Sequence, residues 1–153
     1  GLLYAGLMLT EEGPKVLEFN CRFGDPETQA LLPRMDGDLL PLLVACAQGD
    51  LAGLDPQVSS RAAVTVVLAA AGYPQSGDSG SPIVGIEAAR ALGALVFHAG
   101  TAYREDTLVT GGGRILNVTG VGDTIASARD LAYRAVDQIS FPGLRYRRDI
   151  AYG

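Results

Sequence analysis

The stretch of residues 16–27 reads Val16-Leu17-Glu18-Phe19-Asn20-Cys21-Arg22-Phe23-Gly24-Asp25-Pro26-Glu27 and alternates apolar with polar side chains. In a β-strand, successive side chains point to opposite faces of the sheet. The polar face of an extended run would then carry Glu18, Asn20 and Arg22. The other face would carry Leu17, Phe19, Cys21 and Phe23. We therefore expect a strand over 15–23 whose apolar face packs against other residues.

The polar face predicts a site for a metal-bound phosphate. The carboxylate of Glu18 and the amide oxygen of Asn20 are hard oxygen ligands of the kind that Mg²⁺ takes, together with water and phosphate oxygens. The guanidinium of Arg22 is a forked donor that suits an anionic oxygen. An edge strand whose polar face only meets water remains open as the alternative.

A short helix is expected directly after this strand. Asp25 is a favourable N-cap, Pro26 is a favourable first helical residue, and the helix would continue until Pro33. The helix N-terminus would add backbone N–H donors beside the predicted metal site. By itself, Asp25 is predicted to be a cap rather than a catalytic group.

Several blocks of this sequence resemble the phosphoribosylamine–glycine ligases, a family of ATP-grasp enzymes of purine biosynthesis. The spacing of Glu18 and Asn20 alone indicates only the ATP-grasp superfamily. The continuation Arg-Phe-Gly-Asp-Pro-Glu over 22–27 and the later blocks are specific to the ligases. The resembling blocks span residues 3–10, 13–20, 22–29, 72–74, 96–101, 109–110, 112–119 and 146–150.

The resemblance implies an enzyme that ligates glycine to 5-phosphoribosylamine with ATP, through a glycyl phosphate, giving glycinamide ribonucleotide, ADP and phosphate. It implies Mg²⁺ or Mn²⁺ bound by Glu18 and Asn20. It also implies a catalytic role for Arg22 at the γ-phosphate or the acyl phosphate. The substrate-side contacts that it implies are Asp25, Glu27 and Arg114.

The same resemblance predicts that the chain is the C-terminal portion of a longer ligase. The family carries an N-terminal α/β domain and a nucleotide-clamping subdomain, so the upstream remainder is an expected partner and residues 1–153 alone are expected to be inactive. Residues 3–10 contain no carboxylate, although many ATP-grasp enzymes place another metal ligand there. Two alternatives stay open, namely another ATP-grasp carboxylate–amine ligase and a non-catalytic partial domain.

Composition excludes some other classes of protein. The 153 residues carry a net charge of −5 without a basic block, which argues against nucleic acid as a partner. No apolar run approaches the roughly 20 residues of a membrane helix, so no membrane partner is expected. Cys21 and Cys46 lack metal-ligand spacing and are expected to be buried thiols in a reducing cytoplasm.

The predicted fold class is α+β. Residues 1–50 are interpreted as the C-terminal part of an ATP-grasp domain, and 61–153 as a small mixed α/β C-terminal domain. Strands are expected over 2–10, 15–23, 62–69, 94–99, 101–104, 107–110 and 114–119. Helices are expected over 25–32, 38–49 and 86–92, with a last helix capped by Asp123 and a loop over 72–82.

Three further features receive structural interpretations. Gly111, Gly112 and Gly113 lie between two expected strands and predict a hairpin turn rather than a phosphate cradle. His98 has no visible base or nucleophile partner, which predicts a structural hydrogen bond. For the C-terminal arginines at 145, 147 and 148, a solvated or structural cluster is expected.

Overall fold

The computed structural model describes residues 1–152, which divide into two compact units between Ser59 and Ser60. Both helices and antiparallel strands are present, which confirms the predicted mixture of α and β structure. The first unit contains β1 Tyr4–Thr10, β2 Gly13–Asn20, α1 Glu27–Leu31, a 3₁₀ turn Leu32–Arg34, β3 Met35–Asp36, α2 Leu40–Gln48 and β4 Gln57–Val58. The second contains β5 Ala62–Ala69, β6 Asp78–Pro82, α3 Ile86–Ala91, β7 Leu95–His98, β8 Thr101–Arg104, β9 Thr107–Gly112, β10 Arg114–Gly122 and α4 Ile125–Val136.

Strands β1 and β2 form a two-stranded antiparallel hairpin. The register pairs Gly6 with Glu18 and Leu7 with Val16, so Leu17 is an extra residue at an irregularity in β2. Leu17 is 64% exposed and Phe19 is 60% exposed. The prediction that this apolar face packs is therefore wrong within residues 1–152, because a sheet of only two strands supplies no second layer to cover it.

The two cysteines also depart from the prediction. Cys21 is exposed and Cys46 is half-buried. Cys21 lies just after β2 ends at Asn20, outside any packed strand. The prediction of two buried thiols is wrong for Cys21 and only partly met by Cys46.

Helix α1 begins later than predicted. Its N-cap is Pro26, which can offer no side-chain cap, and its first helical residue is Glu27. The carboxylate of Asp25 instead accepts a hydrogen bond from the Gln29 side-chain nitrogen at 3.0 Å. The prediction of Asp25 as N-cap is therefore wrong by one residue.

Helix α2 is found where the sequence predicts it. The Asp38 carboxylate accepts a hydrogen bond from the Leu40 backbone nitrogen at 2.9 Å, and the helix is capped by Gly49 at φ 75°. Within this helix Ala45 is buried, while Leu43 and Val44 are each 45% exposed.

The core of the second unit lies between α4 and the antiparallel sheet β5-β10-β7. Strand β5 spans the predicted residues, and its alternate side chains Val64, Val66 and Leu68 are buried. They meet β10 and a face of α4. The buried residues of that helix are Ala128, Ala132, Ala135 and Val136.

A second antiparallel sheet has the order β6-β9-β8. Strand β6 lies inside the segment 72–82 that was predicted to be a loop. The three glycines at 111–113 do not form a hairpin turn either, because β9 pairs with β6 and β8 while β10 pairs with β5 and β7. They carry the chain from one sheet to the other. A Cβ on Gly100 would lie 2.9 Å from the Gly112 Cα, so small residues permit this crossing.

Helix α4 is capped by Thr124 rather than by the predicted Asp123. The Ser127 backbone nitrogen donates to the Thr124 hydroxyl at 3.1 Å, and the Thr124 backbone nitrogen donates to the Ser127 hydroxyl at 3.0 Å. Ile125, the first residue of α4, is 60% exposed. Within residues 1–152, no helix is both long enough and apolar enough to cross a membrane.

Candidate functional site

Glu18 and Asn20 lie side by side on one face of β2. Gly6 is the register partner of Glu18, and a Cβ at Gly6 would lie 3.1 Å from the Glu18 Cγ. The Glu18 side chain therefore extends over the space that the glycine leaves. The Asn20 amide nitrogen donates to the Glu18 carboxylate at 2.9 Å. The predicted shared face of these two residues is present in the structure.

Arg22 does not continue this row along the strand. Strand β2 ends at Asn20, and Arg22 lies in a bend. Its guanidinium donates to the backbone oxygen of Phe23 at 3.3 Å. The prediction of a strand through residue 23 is wrong, because the chain leaves the hairpin before the arginine.

Asp25 and Glu27 both lie close to Gly24, which is buried. A Cβ at Gly24 would overlap the Glu27 carboxylate, so this carboxylate folds back over the glycine. The Thr28 backbone nitrogen donates to the Gly24 backbone oxygen at 3.1 Å. Residues 24–28 thus form a compact turn that presents both carboxyl side chains at the start of α1.

Arg114 belongs to the second unit, at the first residue of β10. Its guanidinium carbon lies 6.0 Å from the centroid of the Tyr73 ring, within the range of a cation–π contact. Gly113 makes room for this ring, because a Cβ there would lie 2.7 Å from the Tyr73 Cδ2.

The donor set of Glu18 and Asn20 fits a hard divalent cation. One carboxylate and one amide are adjacent, and the Glu18 side chain is exposed. Rotation of the Asn20 amide about its last bond would exchange its oxygen and nitrogen positions and turn the oxygen towards the carboxylate. Within residues 1–152, no group of three or more His, Cys, Asp and Glu side chains is placed to hold a metal. A cation with few protein ligands, such as Mg²⁺, matches this pair.

His98 makes the structural hydrogen bond that the sequence predicts. Its Nδ1 lies 3.1 Å from the Thr101 hydroxyl. Partial burial, and secondarily the positive charge of Arg90, hold the pKa of His98 below its ordinary value. The imidazole is therefore favoured in its neutral form.

Asp78 and Thr110 were not identified from the sequence. The buried Thr110 hydroxyl donates to the Asp78 carboxylate at 2.7 Å and accepts from the Ser81 backbone nitrogen at 3.0 Å. Hydrogen bonds from the Ser81 and Thr110 side chains lower the pKa of Asp78. Asp78 and Thr110 are 32 residues apart along the chain, so no local sequence pattern indicates that they are in contact.

Comparison with known proteins finds a family model for each of the two parts of the chain. The family model for the phosphoribosylglycinamide synthetase C domain matches residues 63–153, and the model for the ATP-grasp (A) domain of the same synthetase matches residues 1–28. The chain belongs to the phosphoribosylglycinamide synthetase family. The assignment of 1–50 and 61–153 to two functional domains stays a prediction, and Gly153 lies outside the described residues.

Curated relatives match along nearly the whole chain. It is 48% identical to the phosphoribosylamine–glycine ligase of Caldanaerobacter subterraneus subsp. tengcongensis, covering 100% of this chain and 36% of that protein. It is 51% identical to the ligase of the same name from Nostoc sp., covering 99% and 36%. It is 48% identical to the trifunctional purine biosynthetic protein adenosine-3 of Gallus gallus, covering 99% and 15%.

A solved structure of the family supports the fold. The crystal structure of the phosphoribosylamine–glycine ligase from Thermotoga maritima is 39% identical and superposes with a TM-score of 0.80, covering 97% of this chain and 36% of that one. The chain thus spans about a third of the length of these single-function relatives.

Proposed function

We propose that the chain contributes part of the active site of an ATP-dependent ligase that joins glycine to 5-phosphoribosylamine. The products would be glycinamide ribonucleotide, ADP and phosphate. The observation that carries the proposal is the Glu18–Asn20 pair above Gly6, which lies within the residues matched by the ATP-grasp family model. The names of the relatives support the choice of substrates.

The proposed chemistry explains why such a site needs both oxygen ligands and a cation. A carboxylate is a poor acylating group because oxide is a poor leaving group. Transfer of the ATP γ-phosphoryl group to glycine gives an acyl phosphate, and attack by the amine on its carbonyl carbon then expels phosphate. The first step brings an anionic carboxylate to an anionic phosphate, so positive charge must offset their repulsion.

The side chains of the first unit are assigned roles in this reaction. Glu18 and Asn20 would hold Mg²⁺ or Mn²⁺, which supplies positive charge at the phosphate oxygens. Arg22 would stabilise the transferred phosphoryl group with its forked donors. Asp25 and Glu27 would orient the amine or the ribose of the substrate. In the second unit, Arg114 would contact a substrate anion.

A chimera tests the proposal. In the Caldanaerobacter ligase, the segment that aligns with this chain would be replaced by residues 1–153. The alignment covers 100% of this chain. We expect phosphate release that requires ATP, Mg²⁺, glycine and phosphoribosylamine together. Phosphate release from a folded chimera that does not depend on glycine or on phosphoribosylamine would contradict the proposed substrates and favour a different ATP-grasp ligase.

Variants of this chimera test the metal ligands. Glu18→Gln and Asn20→Ala should each reduce turnover at least a hundredfold at saturating ATP while leaving the melting temperature unchanged, because neither side chain belongs to the buried core. Binding of Mn²⁺, followed by its paramagnetic effect on water relaxation, should weaken in parallel. Glu11→Gln, in the exposed turn before β2, is the matched control. Undiminished Mn²⁺ binding in the Glu18 and Asn20 variants would overturn the assignment.

A further inference from the structure

Cys46 lies on the side of α2 that lines an open cavity. It follows Leu42 by four residues and Leu43 by three, which is the spacing of neighbours on one side of a helix. All three side chains, and Leu39 before them, line a cavity of about 590 Å³ in the first unit. The 45% exposure of Leu43 shows that the described chain leaves this side of α2 partly uncovered. The Cys46 thiol is therefore directed towards open space rather than into a packed core.

Cys21 lines the same cavity. It follows Asn20, the last residue of β2, and lies in a bend rather than in a strand. Both cysteines are free thiols, Cys21 exposed and Cys46 half-buried. The two cysteines of the sequence thus line one cavity, although helix α1 and strand β3 lie between them along the chain.

The rest of the cavity lining leaves room for the two thiols to meet. Apart from the cysteines and Arg22, the lining consists of glycine, proline and apolar side chains. A disulfide requires Cα atoms no more than about 7 Å apart, so the bond has to draw the bend at Cys21 and the last turn of α2 together. The cavity permits this closure, since it is open space rather than packed side chains.

We propose that Cys21 and Cys46 are a redox-sensitive pair that forms a disulfide on reaction with a small-molecule disulfide of the oxidised glutathione class. The thiolate of Cys21, the more exposed cysteine, attacks one sulfur of that disulfide, forms a mixed disulfide and releases one glutathione thiolate. The Cys46 thiolate then attacks the Cys21 Sγ and releases the second. Two protein thiols lose two electrons, one glutathione disulfide gains them, and the two thiol protons pass to the released thiolates.

The position of Cys21 connects this bond to the candidate active site. Cys21 lies directly between Asn20, a proposed metal ligand, and Arg22, the proposed phosphate contact. Drawing Cys21 towards α2 moves the backbone on both sides of it and displaces these two side chains from Glu18. Oxidation should therefore inactivate the ligase. This consequence rests on the proposed function, whereas the disulfide itself does not.

Peptide mapping of residues 1–153 tests the bond without any substrate. The chain is equilibrated with reduced and oxidised glutathione, free thiols are blocked by alkylation, and trypsin is added without a reductant. Trypsin releases Cys21 in the peptide 16–22 and Cys46 in the peptide 35–61. We expect mass spectrometry to find the two peptides joined, two hydrogens lighter than their sum. In urea at the same glutathione ratio, the bridged fraction relative to the dithiol should fall at least tenfold, because unfolding removes the effective concentration of one thiol at the other.

Single substitutions supply the matched controls. Cys46→Ser should accumulate glutathione on the exposed Cys21, and Cys21→Ser should react more slowly because Cys46 is half-buried. Glutathione on both cysteines of the folded parent chain, with no joined peptide, would overturn the pair. Equal bridging in buffer and in urea would also overturn it, since the fold would then contribute nothing to the meeting of the thiols.

The ligase chimera tests the connection to activity. Glutathione disulfide should lower its turnover at least tenfold, dithiothreitol should restore it, and Cys46→Ser should keep its turnover under the same treatment. An equal loss in Cys46→Ser would assign the inactivation to glutathione on Cys21 and overturn control by the internal bond. A chimera that forms the bond and keeps full turnover would overturn that control and leave the ligase proposal standing. A folded chimera that is inactive even when reduced would count against the proposed function, while a bond formed in residues 1–153 would still support the pair.

Discussion

Asp78 shows how one residue can make the stability of the second unit depend on pH. Hydrogen bonds from Ser81 and Thr110 favour its charged form and lower its pKa from the ordinary value of 3.8. A lowered pKa in the folded chain means that the unfolded chain binds the proton more readily. The resulting stabilisation is complete well above pH 3.8 and is lost as the pH falls through the folded value.

Asp78→Asn keeps an oxygen acceptor for Thr110 but removes the charge. We expect a lower free energy of unfolding than in the parent chain at pH 7, and we expect this difference to disappear as the pH falls below 3.8. Urea denaturation followed by far-UV circular dichroism at several pH values measures it. Asp106→Asn makes the same change of charge in the exposed turn between β8 and β9. A difference for Asp78→Asn that persists unchanged in acid would contradict the prediction.

The candidate site was partly predictable at the residue scale. Strand alternation correctly placed Glu18 and Asn20 together, because that pattern depends only on local backbone geometry. It failed for Arg22 because the strand ends earlier, at Asn20. The bridge between Ala69 and Arg145 was not predictable, since it joins segments that are distant in sequence.

At the scale of elements, the start of α4 gives a direct comparison of two candidate caps. Thr124→Ala should destabilise the second unit by about 1 kcal/mol, since its hydroxyl accepts from the Ser127 backbone nitrogen. Asp123→Ala should have a smaller effect, because its exposed carboxylate reaches Arg61 only at 4.0 Å. Thermal unfolding of both variants checks this. A larger loss of stability for Asp123→Ala than for Thr124→Ala would contradict this and favour Asp123 as the N-cap.

Truncation of a large side chain should cost much more stability in strand β10 than in strand β2. Leu116 on β10 is 0% exposed, and Leu116→Ala should cost about 2–5 kcal/mol through the cavity that it leaves. Phe19 on β2 is 60% exposed, so Phe19→Ala should change stability by less than about 0.5 kcal/mol. Urea denaturation of residues 1–153 compares them. A comparable loss for both would show that Phe19 is buried in solution.

The elements that the sequence predicts best are those with a long apolar run rich in β-branched residues. Strand β5 is such a run and matches its predicted bounds to the residue, whereas the Gly and Ser residues of β6 are typical of a loop. The glycines at 111–113 were misassigned because adjacency in sequence does not reveal that β9 and β10 join different sheets. Sheet membership depends on pairing partners that a local pattern does not specify.

At the scale of the whole molecule, burial is distributed unequally between the two units. Nearly all buried apolar residues follow Ser60, and Ala45 is the buried hydrophobic residue of the first unit. The family resemblance covers both units, so family membership was predictable from motifs even where individual elements were not. Burial was not predictable in the same way, because alternation shows which face is apolar but not what covers it.

Hydrogen exchange should follow this distribution. A two-stranded hairpin is marginal in water without further strands or packing, so amides over 4–20 should exchange faster than amides in β5 and β10. Those strands are held by Leu68, Leu116 and Val118, each 0% exposed, and by α4. Exchange of residues 1–153 at neutral pH, read by mass spectrometry of peptides, measures the contrast. Equal protection over 4–20 and 62–69 would mean that the hairpin is buried in solution, and the expected insensitivity to Phe19→Ala would fail with it.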